Sequence, residues 1–440
     1  MPTHCDTLVT GSHIVTQDQE RTIMHDGAIA IDQGKILAVG PASDLAQSFA
    51  PAQRLDFGPS ILLPGLHNAH THVAMTFLRG LGDDMPLDIW LNKRIFPVEK
   101  HLTAELVELG SLLGCAEMLR TGTTSFVDMY LLEDAVCRAV DRAGMKALAG
   151  EVLFAFPSIA YKDIEAGFAL VRDMADRWKG HKRVRLALMP HAVYTTTTDI
   201  LARCTALAHE LNLPLHIHVA ETSGETAESL RMYGKRPLEV CREAGLLGPT
   251  TNLAHVVDIT AEEIDLLAST GTRVAHNPKS NLKLASGISP VPLMLEKGLL
   301  PGLGTDGAAS NNTLNMFSEM NVCALIHKGT TLNPATCPAQ TVLDMATLGS
   351  AAAMFAKETG SLQPGYAADI TVLGLDSPNM VPLYSPVSHL VYAASGHEVR
   401  MTMVDGAILY KDGKHTTIDV EGIAKEIRAM RQWILDKVDY

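Results

Sequence analysis

The chain has 440 residues, of which 47% are hydrophobic and 19% charged, the composition of an ordinary globular protein rather than a disordered one. Its formal net charge of −13, with no Lys/Arg-rich run, excludes a polyanion such as nucleic acid as its partner. No apolar stretch approaches the roughly 20 residues that span a bilayer. The opening MPTHCDTLVTGSHIVTQD lacks a basic segment followed by an apolar run, so no membrane association or secretion is expected and a cytoplasmic location is the default.

Residues 1–60 read as short strands and turns. GAIAIDQGKILAVG alternates in the manner of a hairpin, with Asp32-Gln33-Gly34 at its turn. A long middle, residues 61–360, then repeats a different unit: a short apolar strand, a loop, a helix. Eight such strands are expected at 60–73, 123–129, 146–154, 184–194, 213–222, 251–257, 271–278 and 300–307, with helices such as AELVELGSLLGCAEMLRTG and TDILARCTALAHELN between them. Strands alternating with helices favour a parallel sheet, and eight units favour closure into a (β/α)8 barrel. A doubly wound sheet is the alternative, but no Gly-rich phosphate loop follows the first strand. Residues 361–418 return to the texture of the N-terminus, with Asp405-Gly406 and Asp412-Gly413 as turns. Both ends together are expected to build one small β-sandwich, and residues 419–440 a closing helix on the spacing of Ile423, Ile427, Met430 and Ile434. The seven cysteines are scattered without a Cys-x-x-Cys pair, which suits buried, reduced thiols.

Histidine carries the chemistry. HNAHTH places His70 and His72 two residues apart, and residues two apart on a strand face the same side. LHIHVAET supplies a second pair, His216 and His218. Each pair ends an expected barrel strand, where such folds place their reactive groups. Asp306, in GLGTDG, follows the last strand. By itself an Asp-Gly is a turn; at that place it offers a carboxylate to the same mouth. His70, His72, His218 and Asp306 make a nitrogen-rich set suited to one Zn2+ with a position left for water, and ligand type leaves Fe2+ or Mn2+ as alternatives. His216 is expected to pack deeper in the barrel. Glu221, three residues past His218, could serve as acid or base if burial raises its pKa. His255 ends strand six and could hold or polarise water.

At these residues the sequence resembles the amidohydrolase superfamily: PGLHNAHTH is similar to its opening strand, HIHVAET to its fifth, LAH to its sixth and GTDG to its eighth. The resemblance runs through the whole chain. Strand four ends in MPHAVY, with no Lys of the kind that bridges two metals in binuclear members, which implies one metal per subunit. GLGDDMPLDIWLNKRIFPVEKHLT and HNPKSNLKLASG resemble the branch of 5′-methylthioadenosine/S-adenosylhomocysteine deaminases and the related chlorotriazine hydrolases. The resemblance implies that Glu99 meets the ribose hydroxyls, that His191 binds substrate, and that Glu221 contacts and protonates the purine, with Asp306 and His255 handling the proton of the attacking water. A carboxylate can accept both hydroxyls of a vicinal diol, which agrees. The expected partner is a small nucleoside. Arg79 and Arg94 are the nearest cations that could meet a homocysteine carboxylate. Rival readings are a guanine or cytosine deaminase or a chlorotriazine-type hydrolase on the same scaffold, and a non-catalytic barrel with a structural metal. Barrel enzymes often form homo-oligomers, but no interface signature is legible here.

Overall fold

A computed structural model describes residues 1–438; Asp439 and Tyr440, the end of the expected closing helix, lie outside the described residues. Five strands come first: β1 (Thr3–Val15), β2 (Ile23–Asp32), β3 (Lys35–Pro41), β4 (Phe49–Asp56) and β5 (Ser60–Pro64). Nine parallel segments follow: β6 (Leu66–Thr71), β7 (Thr123–Tyr130), β8 (Lys146–Leu153), β9 (Val184–Leu186), β10 (Met189–Pro190), β11 (Leu215–Val219), β12 (Thr251–His255), β13 (Arg273–His276) and β14 (Gly302–Leu303). Four more close the chain's β structure: β15 (Ile370–Gly374), β16 (Val399–Val404), β17 (Ala407–Lys411) and β18 (Lys414–His415).

Strands β6 to β14 are the eight barrel strands, the fourth being interrupted into β9 and β10, both paired with β8. Hydrogen bonding runs through β6–β10 and through β11–β14 as two parallel sheets. Bridges Leu188–Leu215 and Ala192–His218 join them on one side. On the other, the Asp306 amide donates to the His70 carbonyl at 3.0 Å. Glycine permits that approach: a Cβ on Gly304 would lie 2.9 Å from the His70 nitrogen and 2.3 Å from Asn277 Oδ1. Helices such as Ala104–Arg120 and Thr198–Leu211 cover the outside, begun by Thr103 and Thr197, whose side chains accept the amides of Leu106 and Ile200. Among the described residues no helix is long and apolar enough to cross a membrane, and all seven cysteines are free and buried.

Strands β1–β5 and β15–β18 form one continuous nine-stranded sheet from both chain ends. The long β1 serves two partners on one edge, β4 along Thr3–Thr10 and β5 at His13–Ile14. β15 then pairs antiparallel with β5. At the three expected hairpin turns, Gln33-Gly34, Asp405-Gly406 and Asp412-Gly413, both central residues take positive φ, as tight hairpins require. The expected first barrel strand, 60–73, divides at Gly65: Ser60–Pro64 belongs to the terminal sheet and Leu66–Thr71 to the barrel. Both pieces are wholly buried, so no change in polarity marks the division. The closing helix is interrupted at Met430, giving Val420–Ala429 and Arg431–Leu435.

One buried ion pair fastens the two units. Lys146, at the start of β8, lies 2.8 Å from Asp369 and 2.6 Å from Asp405. Asp369 is 2% exposed and also accepts the Asp405 amide at 2.9 Å. Burial raises its carboxyl, but the Lys146 charge and hydrogen bonds outweigh that and hold it below the usual range. Removing the cation strands a buried carboxylate, so Lys146→Ala should lower unfolding free energy by about 3 kcal/mol in urea titrations. Because the Asp369 pKa is depressed on folding, this contribution is present above about pH 4 and is lost as pH falls further. The deficit of the variant should therefore shrink in acid.

Candidate metal centre

The barrel's C-terminal mouth gathers side chains from four strands. His70 ends β6 with His72 just beyond it, His218 lies in β11, His255 closes β12, and Asp306 follows β14. Four residues here adopt left-handed backbone conformations: Ala220 (φ 54°), His255 (73°), Val256 (48°) and Asp306 (62°). Such a φ is costly for any residue other than Gly, most of all for a β-branched one, and it persists where surrounding packing over-determines the chain, commonly at functional sites.

Hydrogen bonds assign the imidazole tautomers. His72 Nδ1 donates to the Met129 carbonyl, and His218 Nδ1 donates to the His191 carbonyl at 2.8 Å. His70 Nδ1 faces His216 Nε2 at 2.8 Å. His216 in turn uses its Nδ1 to donate to the Asn252 carbonyl at 3.1 Å, so its Nε2 accepts and His70 carries its hydrogen on Nδ1. All three of His70, His72 and His218 are left with a bare Nε2. One such set of donor atoms, from His70, His72 and His218, lies within 4.8 Å, and another, from His70, His255 and Asp306, does likewise. Asp306 Oδ1 sits 3.3 Å from His70 Nε2 and 3.2 Å from His72 Nε2, while its Oδ2 accepts the hydroxyls of Ser280 and Ser310 at 2.6 and 2.8 Å. His70 Nε2 is buried without a hydrogen-bond partner. Nitrogen lone pairs directed at a buried carboxylate oxygen repel unless a cation lies between them, so the residues present fit a divalent metal ion with three imidazole nitrogens and one carboxylate. Without such an ion a proton answers the same demand: burial pulls His72 down, but Asp306 outweighs it and lifts that imidazole to about 9. Burial lowers His70 to about 4 and keeps His218 neutral.

Beside this cluster lie the acid–base groups. Glu221 Oε2 is 3.9 Å from His255 Nε2, and its Oε1 accepts from Ser286 at 3.4 Å. Burial is the larger influence on Glu221 and raises its pKa. Glu225, accepting the Glu221 amide at 2.7 Å, fixes the chain there. His255 Nδ1 donates to Asn281 Oδ1 at 2.8 Å, which leaves its Nε2 turned to the site.

His72, His218, Glu221, His255 and Asp306 line the floor of one cleft. Its walls come from Val152 and Phe154 on one side and from the short helical turns Leu87–Trp90, Leu91–Ile95 and Phe96–Glu99 on the other. Glu99 and His191 both reach this cleft. Burial lifts Glu99 to about 7, against the pull of the Tyr130 hydroxyl and His72. His191 is lowered to about 3 by burial and neighbouring imidazoles, and its Nδ1 pairs with Thr195 Oγ1 at 2.8 Å. The structure thus brings seven of the eight sequence-picked residues to one cleft, and the eighth, His70, lies buried beside His72 with ring centroids 4.9 Å apart. Neither expected cation for a carboxylate lines it: Arg79 is taken up by Glu117 and the Asn312 carbonyl, and Arg94 is buried in the turn Leu91–Ile95 without reaching the cleft lining. Sequence reasoning missed Ser280 and Ser310, which hold Asp306, and Asn281, which holds His255. Two of them sit in HNPKSNLKLASG, a stretch whose texture alone was legible.

Comparison with known proteins agrees with this geometry. The model of the Amidohydrolase family matches residues 61–409, and that of an imidazolonepropionase-like bacterial composite domain matches 27–52. The 5-methylthioadenosine/S-adenosylhomocysteine deaminase of Nitratidesulfovibrio vulgaris (strain DSM 19637 / Miyazaki F) is 57% identical over 434 residues, covering 99% of each chain. The 5'-deoxyadenosine deaminase of Methanosarcina mazei is 38% identical over 99% of each. Among solved structures, an adenosine deaminase from Xanthomonas campestris with bound zinc superposes with a TM-score of 0.97 at 35% identity, over 99% of this chain and 100% of that one. With a matching family model over most of its length and relatives well above 30% identity, the chain belongs to the amidohydrolase family.

Proposed function

We propose that this protein is a one-metal aminohydrolase that removes the 6-amino group of adenine nucleosides carrying a modified 5′ position, giving the inosine-type product and ammonia. The observation that carries the reading is one cleft lined both by a buried carboxyl, Glu221, beside a metal-fitting donor cluster, and by a second, half-buried carboxyl, Glu99. The names of the relatives at 57% and 38% identity support the same substrate class. All of the proposed site lies within 61–360, which we assign as the catalytic barrel. We assign 1–60 and 361–418 to the supporting β unit and 419–440 to a terminal helix.

His70, His72, His218 and Asp306 would hold the ion, for which Zn2+ is the preferred candidate given the donors and the zinc of the Xanthomonas neighbour. When bound, such an ion supplies Lewis acidity that brings the pKa of water from 15.7 to about 7. The remaining work belongs to the chain. Asp306 Oδ1, whose partner oxygen is occupied by two serines, accepts the proton of the attacking water, and His255 Nε2 holds that water in place. Glu221, whose pKa burial raises, delivers a proton to N1 of the ring as C6 becomes tetrahedral. The proton gathered at Asp306 then passes to the departing amine, and as the C–N bond breaks the C6 hydroxyl gives up its hydrogen, which leaves the 6-oxo product and returns a proton to Glu221. Glu99 accepts the ribose hydroxyls and His191 orients the nucleoside. Beyond Glu99 the cleft continues into a groove lined by Phe96, Leu131, Phe154, Phe156 and Ile159, with Phe154 and Phe156 stacked at 4.7 Å. That wall suits an apolar thioether at the 5′ carbon, and Lys100 is its one cationic lining residue.

Ammonia release from 5′-methylthioadenosine, S-adenosylhomocysteine, adenosine, adenine, guanine and cytosine tests the assignment. Release from the nucleosides alone is expected, whereas release from guanine or cytosine alone would replace the reading by free-base deamination. Glu221→Gln should bind metal normally and lose about 10^2–10^4-fold in turnover. Ser280→Ala with Ser310→Ala should weaken metal affinity by about 10–100-fold, as loss of groups that hold a ligand generally does. Since Glu99 must be ionised to accept two hydroxyls, kcat/KM for nucleosides should fall as pH drops through about 7. Glu99→Gln should raise KM and abolish that limb.

A further inference from the structure

Behind the catalytic mouth, between the end of β13 and the helix Met316–Thr331, lies a second cluster of metal-type donors that the reaction does not use. His276, Cys323 and His327 are all buried, and one donor atom from each falls within 4.8 Å of the others. The two imidazoles approach through Nε2, at 3.3 Å. That is long for an N–H···N hydrogen bond, which centres near 2.9–3.0 Å. It equals the separation of two nitrogens on one tetrahedral ion, since bonds of about 2.0–2.1 Å at the tetrahedral angle place them about 3.3 Å apart. The ring centroids are 5.3 Å apart, the same spacing as His72 and His218 in the catalytic cluster.

We propose that His276, Cys323 and His327 bind a second, structural cation of the Zn2+ type, distinct from the catalytic one. Cys323 would ligate as thiolate, releasing its proton on binding, as thiols do at such ions. Burial, and to a lesser extent the neighbouring Cys337, raises the free Cys323 thiol, so a bound cation would have to draw off its proton. A fourth donor would complete the tetrahedral set that structural zinc sites take. The ion would tie the helix to the end of β13. Its effect would reach the active site through the next residue, Asn277, whose side chain lies 3.3 Å from His255 Nδ1.

The two sites differ in donor chemistry, and that makes the test direct. The catalytic cluster offers nitrogen and oxygen only, so cobalt bound there gives no thiolate-to-metal charge transfer. Protein produced in cobalt-supplemented minimal medium should contain two equivalents of cobalt per chain and show that near-ultraviolet band. Cys323→Ser and His327→Gln should each carry one equivalent, lose the band and retain deamination. Wild-type protein with one equivalent and no band overturns the proposal, whether or not the variants fold. Two equivalents without the band overturn it as well, because the second ion would then sit away from Cys323.

Discussion

Three imidazole nitrogens and one carboxylate oxygen are forced together at the floor of a cleft, with His70 wholly buried and the others largely so. Each imidazole has spent its Nδ1 hydrogen on an acceptor: Met129 for His72, His191 for His218, and His216 for His70. What remains is lone pairs facing lone pairs, with Asp306 Oδ1 at 3.2–3.3 Å from two of them. Electrostatics in a low-dielectric interior makes such a cluster untenable without positive charge. Much of the surrounding structure reads as the means of holding it. The left-handed turns at His255 and Asp306, the serines on Asp306 Oδ2 and the backbone acceptors behind each ring all oppose relaxation of the cluster.

The same low dielectric does two further jobs. It raises Glu221, so a carboxyl that would ordinarily be ionised is available as an acid, and it lifts Glu99 to about 7. In the proposed reaction the two carboxyls take different parts, Glu221 giving a proton to the ring and Glu99 accepting hydrogen bonds from the sugar. In that reading the stacked Phe154–Phe156 pair would face whatever hangs from the 5′ carbon.

Much of this was legible in the sequence because strand geometry has a period of two. His70-x-His72 and His216-x-His218 could be read as inward-facing pairs, and the eight-fold alternation of apolar runs with helices pointed to a barrel. Other features depend on contacts between distant segments and leave no local mark. Ser280 reaches Asp306 only because the helical turn after β13 brings it there, whereas Ser310 lies four residues past Asp306. Lys146 meets Asp369 across 223 residues. The division of 60–73 at Gly65 was hidden because both halves are equally buried. Arg79 and Arg94 were plausible carboxylate partners by proximity in sequence, yet Glu117 had already claimed the first.

The central claim is that one ion and two carboxyls act on one nucleoside, and a crystal structure of the zinc-loaded protein with a purine nucleoside bearing a tetrahedral 6-hydroxyl group tests it most directly. The account predicts anomalous zinc density coordinated by His70, His72, His218 and Asp306, with the 6-hydroxyl at the ion, Glu221 at N1 and Glu99 at the ribose hydroxyls. Zinc held by other residues, or a nucleoside bound with its ring away from Glu221, would contradict it.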